Sequence, residues 1–90
     1  MPITYRYHTT LGIAVRSDGM LLLPRRKSAV WSYGKPSRSG QFYVSVRGKR
    51  LPVSRIVAET FVPNPRKLPH VRHVNGRLHD NGVNNLEWCV

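Results

Sequence analysis

"RHVNGRLHDNGVNNLEW", residues 72–88, sets two histidines, one aspartate and four asparagines within seventeen positions. His73 is followed by Asn75-Gly76, then by Asp80-Asn81, then by Asn85-Leu86-Glu87-Trp88. The run "VRHV" reads as a strand, Asn75-Gly76 as a turn, and "NNLEWCV" as a closing strand anchored by Leu86 and Trp88. Two readings of the loop between them compete. Imidazole accepts a proton near neutral pH, and a folded loop that fixes its orientation could use it to activate water. Asparagine and glycine are equally the ordinary residues of tight turns, and a lone histidine among them can be purely structural. The rest of the chain has to choose.

Working upstream, "VPNPRKLPH", residues 62–70, holds three prolines and reads as a stiff connector. Before it, "RIVAETF" is predicted as a helix of about two turns, with Ile56, Val57 and Phe61 on one side, Ser54 as N-cap and Pro63 as terminator. "FYVSV" and "LPVS" flank "RGKR" as a hairpin with Gly48 in its turn and Phe42, Val44 and Val46 facing one way. Another hairpin is predicted within "LGIAVRSDGMLLLP", residues 11–24, turning at Ser17-Asp18-Gly19. Residues 25–40 carry Gly, Pro and Ser among bases and read as a loop, with Trp31 expected in the core and Tyr33 available to stack. The predicted fold is α+β: a small single domain of two β-hairpins, one short helix and a C-terminal hairpin. Residues 1–50 form its N-terminal hairpin module with a basic loop, and residues 51–90 carry the terminal constellation. A chain of 90 residues buries a small core and has modest stability.

Charge narrows the partner. Fifteen Lys and Arg face only Asp18, Glu59, Asp80 and Glu87, a net charge of +11. No acid falls between Gly19 and Ala58, where nine of the bases lie. A polyanion is the natural partner for such a surface, nucleic acid or a nucleoprotein complex, with DNA expected before RNA. The bases expected to contact it are Arg25, Arg26, Lys27, Lys35, Arg38, Arg47, Lys49, Arg50, Arg72 and Arg77. Cys89 is the only cysteine, which excludes an intrachain disulfide and a multi-cysteine zinc site and suits a reducing, cytosolic compartment. The apolar runs are too short to cross a bilayer, and "MPITYRYHTT" has no apolar stretch of the secretory kind.

Taken together, the terminal stretch resembles the ββα-metal site of the phage-type HNH homing endonucleases. Their pattern runs His, an Asp or Asn with Gly two residues on, an Asp-Asn or Asn-Asn pair, then Asn-Leu-Glu-Trp. His73, Asn75, Gly76, Asp80, Asn81, Asn85, Leu86, Glu87 and Trp88 fall in register with it. "GQFYVSVRGKRLPVSRIVAETFVPNP" resembles the segment that precedes the motif in that family, and "VRSDGMLL" its accompanying N-terminal module. The resemblance implies that His73 is the general base and Asn81 the residue that holds the loop by bonding backbone. It also implies a divalent cation, magnesium or manganese, at the leaving oxygen.

This sequence departs from the pattern where the family holds its cation. The position before the histidine, Asp or Asn in the family, is Arg72, and a guanidinium has no lone pair to give. Ser54 stands where the family often has His. The family's other ligand comes from a helix after the Asn-Leu-x-Trp segment, and Val90 is reached before it, so the terminal hairpin is expected without that helix. Asp80 and His79 belong to the loop by register, and His70 with His73 lacks the Cys or carboxylate neighbours of a zinc site. No metal ligand is therefore assigned. The resemblance implies a phage protein, cytoplasmic in the infected bacterium, and the departures favour one that binds nucleic acid without cutting it, as an inhibitor of a host nucleic-acid-processing or defence complex. A metal-dependent nicking endonuclease and a protein-only or ribosome-associated partner stand as the alternatives.

Overall fold

A computed structural model describes residues 3–24 and 28–90. Its elements in chain order are β1 (Tyr5–Tyr7), β2 (Ala14–Arg16), β3 (Leu21–Leu23), β4 (Val30–Ser32), β5 (Lys35–Pro36), β6 (Phe42–Val46), β7 (Lys49–Pro52), α1 (Val53–Phe61), β8 (His70–His73) and β9 (Leu86–Cys89). A single 3-10 turn, Val83–Asn85, leads into β9. The strands form three antiparallel sheets, ordered β1-β2-β3-β4, β5-β6-β7 and β8-β9. Both predicted hairpins, the helix and the C-terminal hairpin are present.

The helix joins these sheets. Val53, Ile56 and Val57 repeat at helical spacing and are buried, so one stripe of α1 meets β2, β6, β7, β8 and β9. Val15, Leu21 and Leu23 of the first sheet, Val44 and Val46 of the second and Leu86 of the third pack with it in one cluster. Burying each such side chain stabilises the fold by roughly 1.5–3 kcal/mol before chain entropy is counted. Ser54 does not cap the helix, as the sequence suggested. Pro52 is the N-cap, and Ser54 sits inside the first turn, buried. Proline's fixed φ, here −72°, lets β7 pass straight into α1 without a capping side chain. At the other end Val62 is extended, as a residue before proline must be, and Pro63 stops the helix.

Residues 28–40 are not the loop that their composition suggested. Leu21↔Ser32, Leu22↔Trp31 and Leu23↔Val30 pair β3 with β4, and Lys35↔Tyr43 and Pro36↔Phe42 pair β5 with β6. Gly34, at φ +89°, carries the chain from one sheet to the next. A Cβ there would lie 2.8 Å from the Tyr43 carbonyl oxygen and 2.8 Å from Val53 Cγ2, so only glycine fits this crossover. Trp31 is likewise not in the core. It faces outward from β4, 37% exposed, with the Arg16 guanidinium over its ring.

Register fixes what the first sheet shows to solvent. Val15↔Leu21 face the helix, so neighbours one step along turn the other way. Tyr5↔Arg16 and Tyr7↔Ala14 are on that outer face, as are Leu22 and its partner Trp31. Tyr33 follows Trp31 by two residues and donates its hydroxyl to Asp18 Oδ2 at 3.2 Å. Partial burial first, and then the charge and hydrogen bond of Asp18, hold the Tyr33 phenol above its ordinary pKa.

Candidate functional site

The terminal hairpin pairs Arg72↔Glu87 and His73↔Leu86. Alternation along β8 turns His73 inward, 8% exposed, and Arg72 outward. At the end of β8 the His73 ring meets Asn81, with Nε2 to Oδ1 at 2.7 Å. An amide oxygen only accepts, so the neutral ring carries its proton on Nε2 and presents a lone pair on Nδ1. Among the described residues Nδ1 has no protein partner, and it is not among the buried polar atoms left unsatisfied, so it keeps contact with solvent. A neutral imidazole held by one nitrogen and open at the other can take a proton from water.

The loop itself is held by Asn85. Its Oδ1 accepts from the Asn75 amide at 3.0 Å, and its Nδ2 donates to Asn75 Oδ1 and to the Asp80 carbonyl, both at 2.9 Å. Asn81, assigned the loop-holding role from resemblance, is placed on the imidazole, while Asn85 makes the bonds across the loop. Asn75 Oδ1 also accepts from Arg77 N at 2.8 Å, an Asx turn that sets Gly76 at φ +76°.

The first sheet supports this loop from behind. The Val83 amide donates to the Ser17 carbonyl at 2.9 Å, and a Cβ on Gly19 would lie 2.9 Å from both C and O of Asn81. The β2–β3 turn thus presses on the backbone of the residue that orients His73. An open cleft of about 870 Å³ lies beside this contact, lined by Thr4, Ser17, Asp18, Phe61, Asp80 and Val83 among others. It does not include His73, and its two carboxylates disfavour a polyanion.

Carboxylates decide whether a divalent cation fits here. Asp18 is bound by Arg16 at 2.7 Å, and Glu59 by His8 at 2.8 Å and Arg55 at 3.3 Å. Glu87 is bound by Arg72 across the β8–β9 pair. Asp80 turns into the loop, where its oxygens accept from the Gly82 amide and Asn75 Nδ2, each at 3.3 Å. Every acid in the chain is committed to an internal partner, and the one nearest His73 along β9 is neutralised by Arg72. His79 is exposed, and His70 and His73, three apart on one strand, point to opposite faces. The residues present do not fit a hard cation, which needs free oxygen ligands.

The expected contact residues are placed as follows. Arg25, Arg26 and Lys27 lie outside the described residues. Lys35, Arg38, Arg47, Lys49, Arg50 and Arg77 are exposed. Arg47 and Gly48 form the β6–β7 turn with φ of 50° and 79°, both positive as a two-residue hairpin turn of type I′ requires. Arg50 lies over the Tyr43 ring at 4.0 Å. Among the described residues the ion pairs engage Arg16, Arg55 and Arg72, so the hairpin bases and Arg77 have no carboxylate partner. Arg72, expected to touch a phosphate, is instead paired. Sequence reasoning missed His8, which is buried, receives the Thr10 and Leu11 amides on Nδ1 and faces Glu59 through Nε2. Its only signal is a histidine just ahead of "TTLG", where the chain turns between β1 and β2.

A solved structure described as DNA binding and cleavage by the HNH homing endonuclease I-HmuI superposes on 96% of this chain with a TM-score of 0.73 and 19% identity. The chain has an HNH-type endonuclease fold. It spans 52% of that neighbour's length. It is also 39% identical over 42 residues to the uncharacterized HNH endonuclease L245 of Acanthamoeba polyphaga mimivirus. That stretch is 47% of this chain and 13% of the relative. No protein-family model matches. In this chain His73 and Asn81 bond each other, Asp18, Glu59 and Glu87 are held in ion pairs, and Asp80 is hydrogen-bonded within the loop.

Proposed function

We propose that this HNH-type domain binds nucleic acid, DNA before RNA, through its basic surface and does not cut it. Such a protein acts by occupancy, as an inhibitor of the nucleic-acid-processing or defence complex whose substrate or nucleoprotein it covers. The observation that carries this reading is the engagement of all four carboxylates in a chain of fifteen bases, which leaves the surface strongly positive and the neighbourhood of His73 without oxygen ligands. Affinity from Lys and Arg against phosphates needs no cation and falls steeply with salt. That the neighbouring structure is described in terms of DNA supports DNA as the first polymer to try.

One observation favours a second reading, a nicking endonuclease. His73 is oriented for proton abstraction, with Nε2 on Asn81 and Nδ1 open. In that reading Nδ1 takes a proton from water as the water oxygen bonds to phosphorus and a phosphodiester oxygen leaves, and the imidazolium so formed keeps its Nε2 proton, donated to Asn81 Oδ1. The test is to incubate the pure protein and its His73→Ala variant with supercoiled plasmid and either magnesium or manganese. Intact plasmid with both proteins, together with a mobility shift, is the expected result. Nicking by the parent that the variant lacks would replace the binder with the enzyme.

A further inference from the structure

The HNH-type reading leaves the outer face of the first sheet unexplained. The chain has eight aromatic residues; Tyr5, Tyr7 and Trp31 are on this one face, and Tyr33, just past the end of β4, is bonded to Asp18, the partner of the face's Arg16. They are 61%, 64%, 37% and 49% exposed. The two edge strands carry Tyr5, Tyr7 and Trp31, Tyr33 follows β4, and Arg16 lies between with its guanidinium 5.4 Å from the Trp31 ring centre. No other element of the described chain covers them. Burying aromatic surface is the strongest single contribution a side chain makes to a core, so leaving four rings in water on a chain with a small core calls for an occupant.

We propose that this face is a stacking platform for single-stranded nucleic acid. Four strands at the usual spacing of about 4.8 Å make a surface about 14 Å across, room for two or three unstacked bases between the tyrosine edge and the Trp31 edge. Stacking is tolerant of sequence, because every base has a π-face, and it needs rings at the surface rather than hydrogen-bonding side chains. Charge selects this occupant over a protein. The molecule carries +11, and the only carboxylate adjoining the face, Asp18, is neutralised by Arg16 and bonded by Tyr33. A second copy of the chain would bring the same positive charge and be repelled. A duplex is a poor fit, since its bases already cover one another's faces and its grooves are read by side chains such as free Arg or Asn. The single Arg on this face among the described residues, Arg16, is already committed to Asp18.

The proposal rests on residues that belong neither to the His73 loop nor to the β6–β7 hairpin, so duplex binding through the hairpin can stand or fall separately. The experiment measures fluorescence anisotropy of a labelled oligothymidylate, and of the same strand annealed to its complement, against the protein and two double variants. Tyr5→Ala with Tyr7→Ala removes the rings; Tyr5→Phe with Tyr7→Phe keeps them. Both sites are well exposed, and circular dichroism checks that each variant is folded. The alanine pair is expected to weaken single-strand binding about tenfold or more while duplex binding changes less than about twofold, with the phenylalanine pair near the parent. Should the alanine pair not fold, Tyr33→Ser on the opposite edge is expected to weaken single-strand binding selectively. Unchanged single-strand binding by the folded variants would overturn the proposal. So would equal losses for single strand and duplex, or a self-association by the parent that the alanine pair abolishes.

Discussion

Two adjacent asparagines show how little residue type says about role. Asn84 and Asn85 are neighbours in "VNNLEW", yet Asn84 is exposed and Asn85 is buried with three hydrogen bonds across the loop. Removing the Asn85 amide leaves the part-buried Asp80 carbonyl and Asn75 backbone amide without their partner. Asn85→Ala is therefore expected to cost about 1–3 kcal/mol, which for a domain this small lowers Tm by roughly 5–20 °C. Asn84→Ala should stay within about 0.5 kcal/mol of the parent. Thermal denaturation followed by circular dichroism checks both, and equal Tm values for the two variants would remove Asn85 from the centre of the loop. Nothing in an "NN" pair distinguishes these outcomes, because the difference arises from which one the 3-10 turn rotates inward.

At the scale of elements, the site depends on a turn far from it in sequence. Gly19 and Gly48 both have positive φ, 98° and 79°, and both end hairpin turns. A Cβ at Gly48 would meet nothing within 4 Å, whereas at Gly19 it would collide with the Asn81 backbone. Alanine at Gly48 measures the backbone cost alone, about 1–2 kcal/mol. Gly19→Ala adds a collision to a similar cost. It is expected to destabilise by at least about 1 kcal/mol more in urea titrations and to shift the His73 imidazole resonances, which Gly48→Ala leaves in place. Equal losses and an unmoved imidazole would mean that the β2–β3 turn does not position the site. This coupling was not legible in the sequence. The local elements were: alternation around Gly48, the apolar pairs around Ser17-Asp18-Gly19 and the Val-Ala helix all carry their periodicity within a few residues. β1, β4 and β5 were not, for a physical reason. "YRY", "VWS" and "KP" bury almost nothing on their own, and they are strands only because Ala14–Arg16, Leu21–Leu23 and Phe42–Tyr43 offer them edges. The same holds at the site. His73 and Asn85–Trp88 stood out by spacing, but the partner of Arg72 and the turn behind Asn81 come from pairing across the chain, which spacing does not encode.

For the whole molecule the controlling quantity is how many bases remain free to meet phosphate. Counterion release makes the logarithm of the binding constant fall linearly with the logarithm of salt concentration, with a slope of about −0.9 per neutralised phosphate on duplex DNA. Lys49 and Arg77 are exposed and have no carboxylate partner, so Lys49→Gln and Arg77→Gln should each make the slope shallower by about 1 if they touch the backbone. Arg72 is the informative contrast, because its guanidinium is bonded to Glu87 across the strand pair. Exposed pairs of this kind contribute little to stability, and both side chains here are about half exposed, so breaking the pair costs the fold little. Glu87→Gln should therefore leave Tm nearly unchanged, release Arg72 and remove a negative charge from the outer face of the β8–β9 pair. DNA binding is expected to tighten and its salt slope to steepen by about 1 relative to the parent, measured by anisotropy across a salt series. If Glu87→Gln instead weakens binding, the carboxylate takes part in the interface rather than masking a base, and the account of this face as an electrostatic grip held partly in check by its own acids would be wrong.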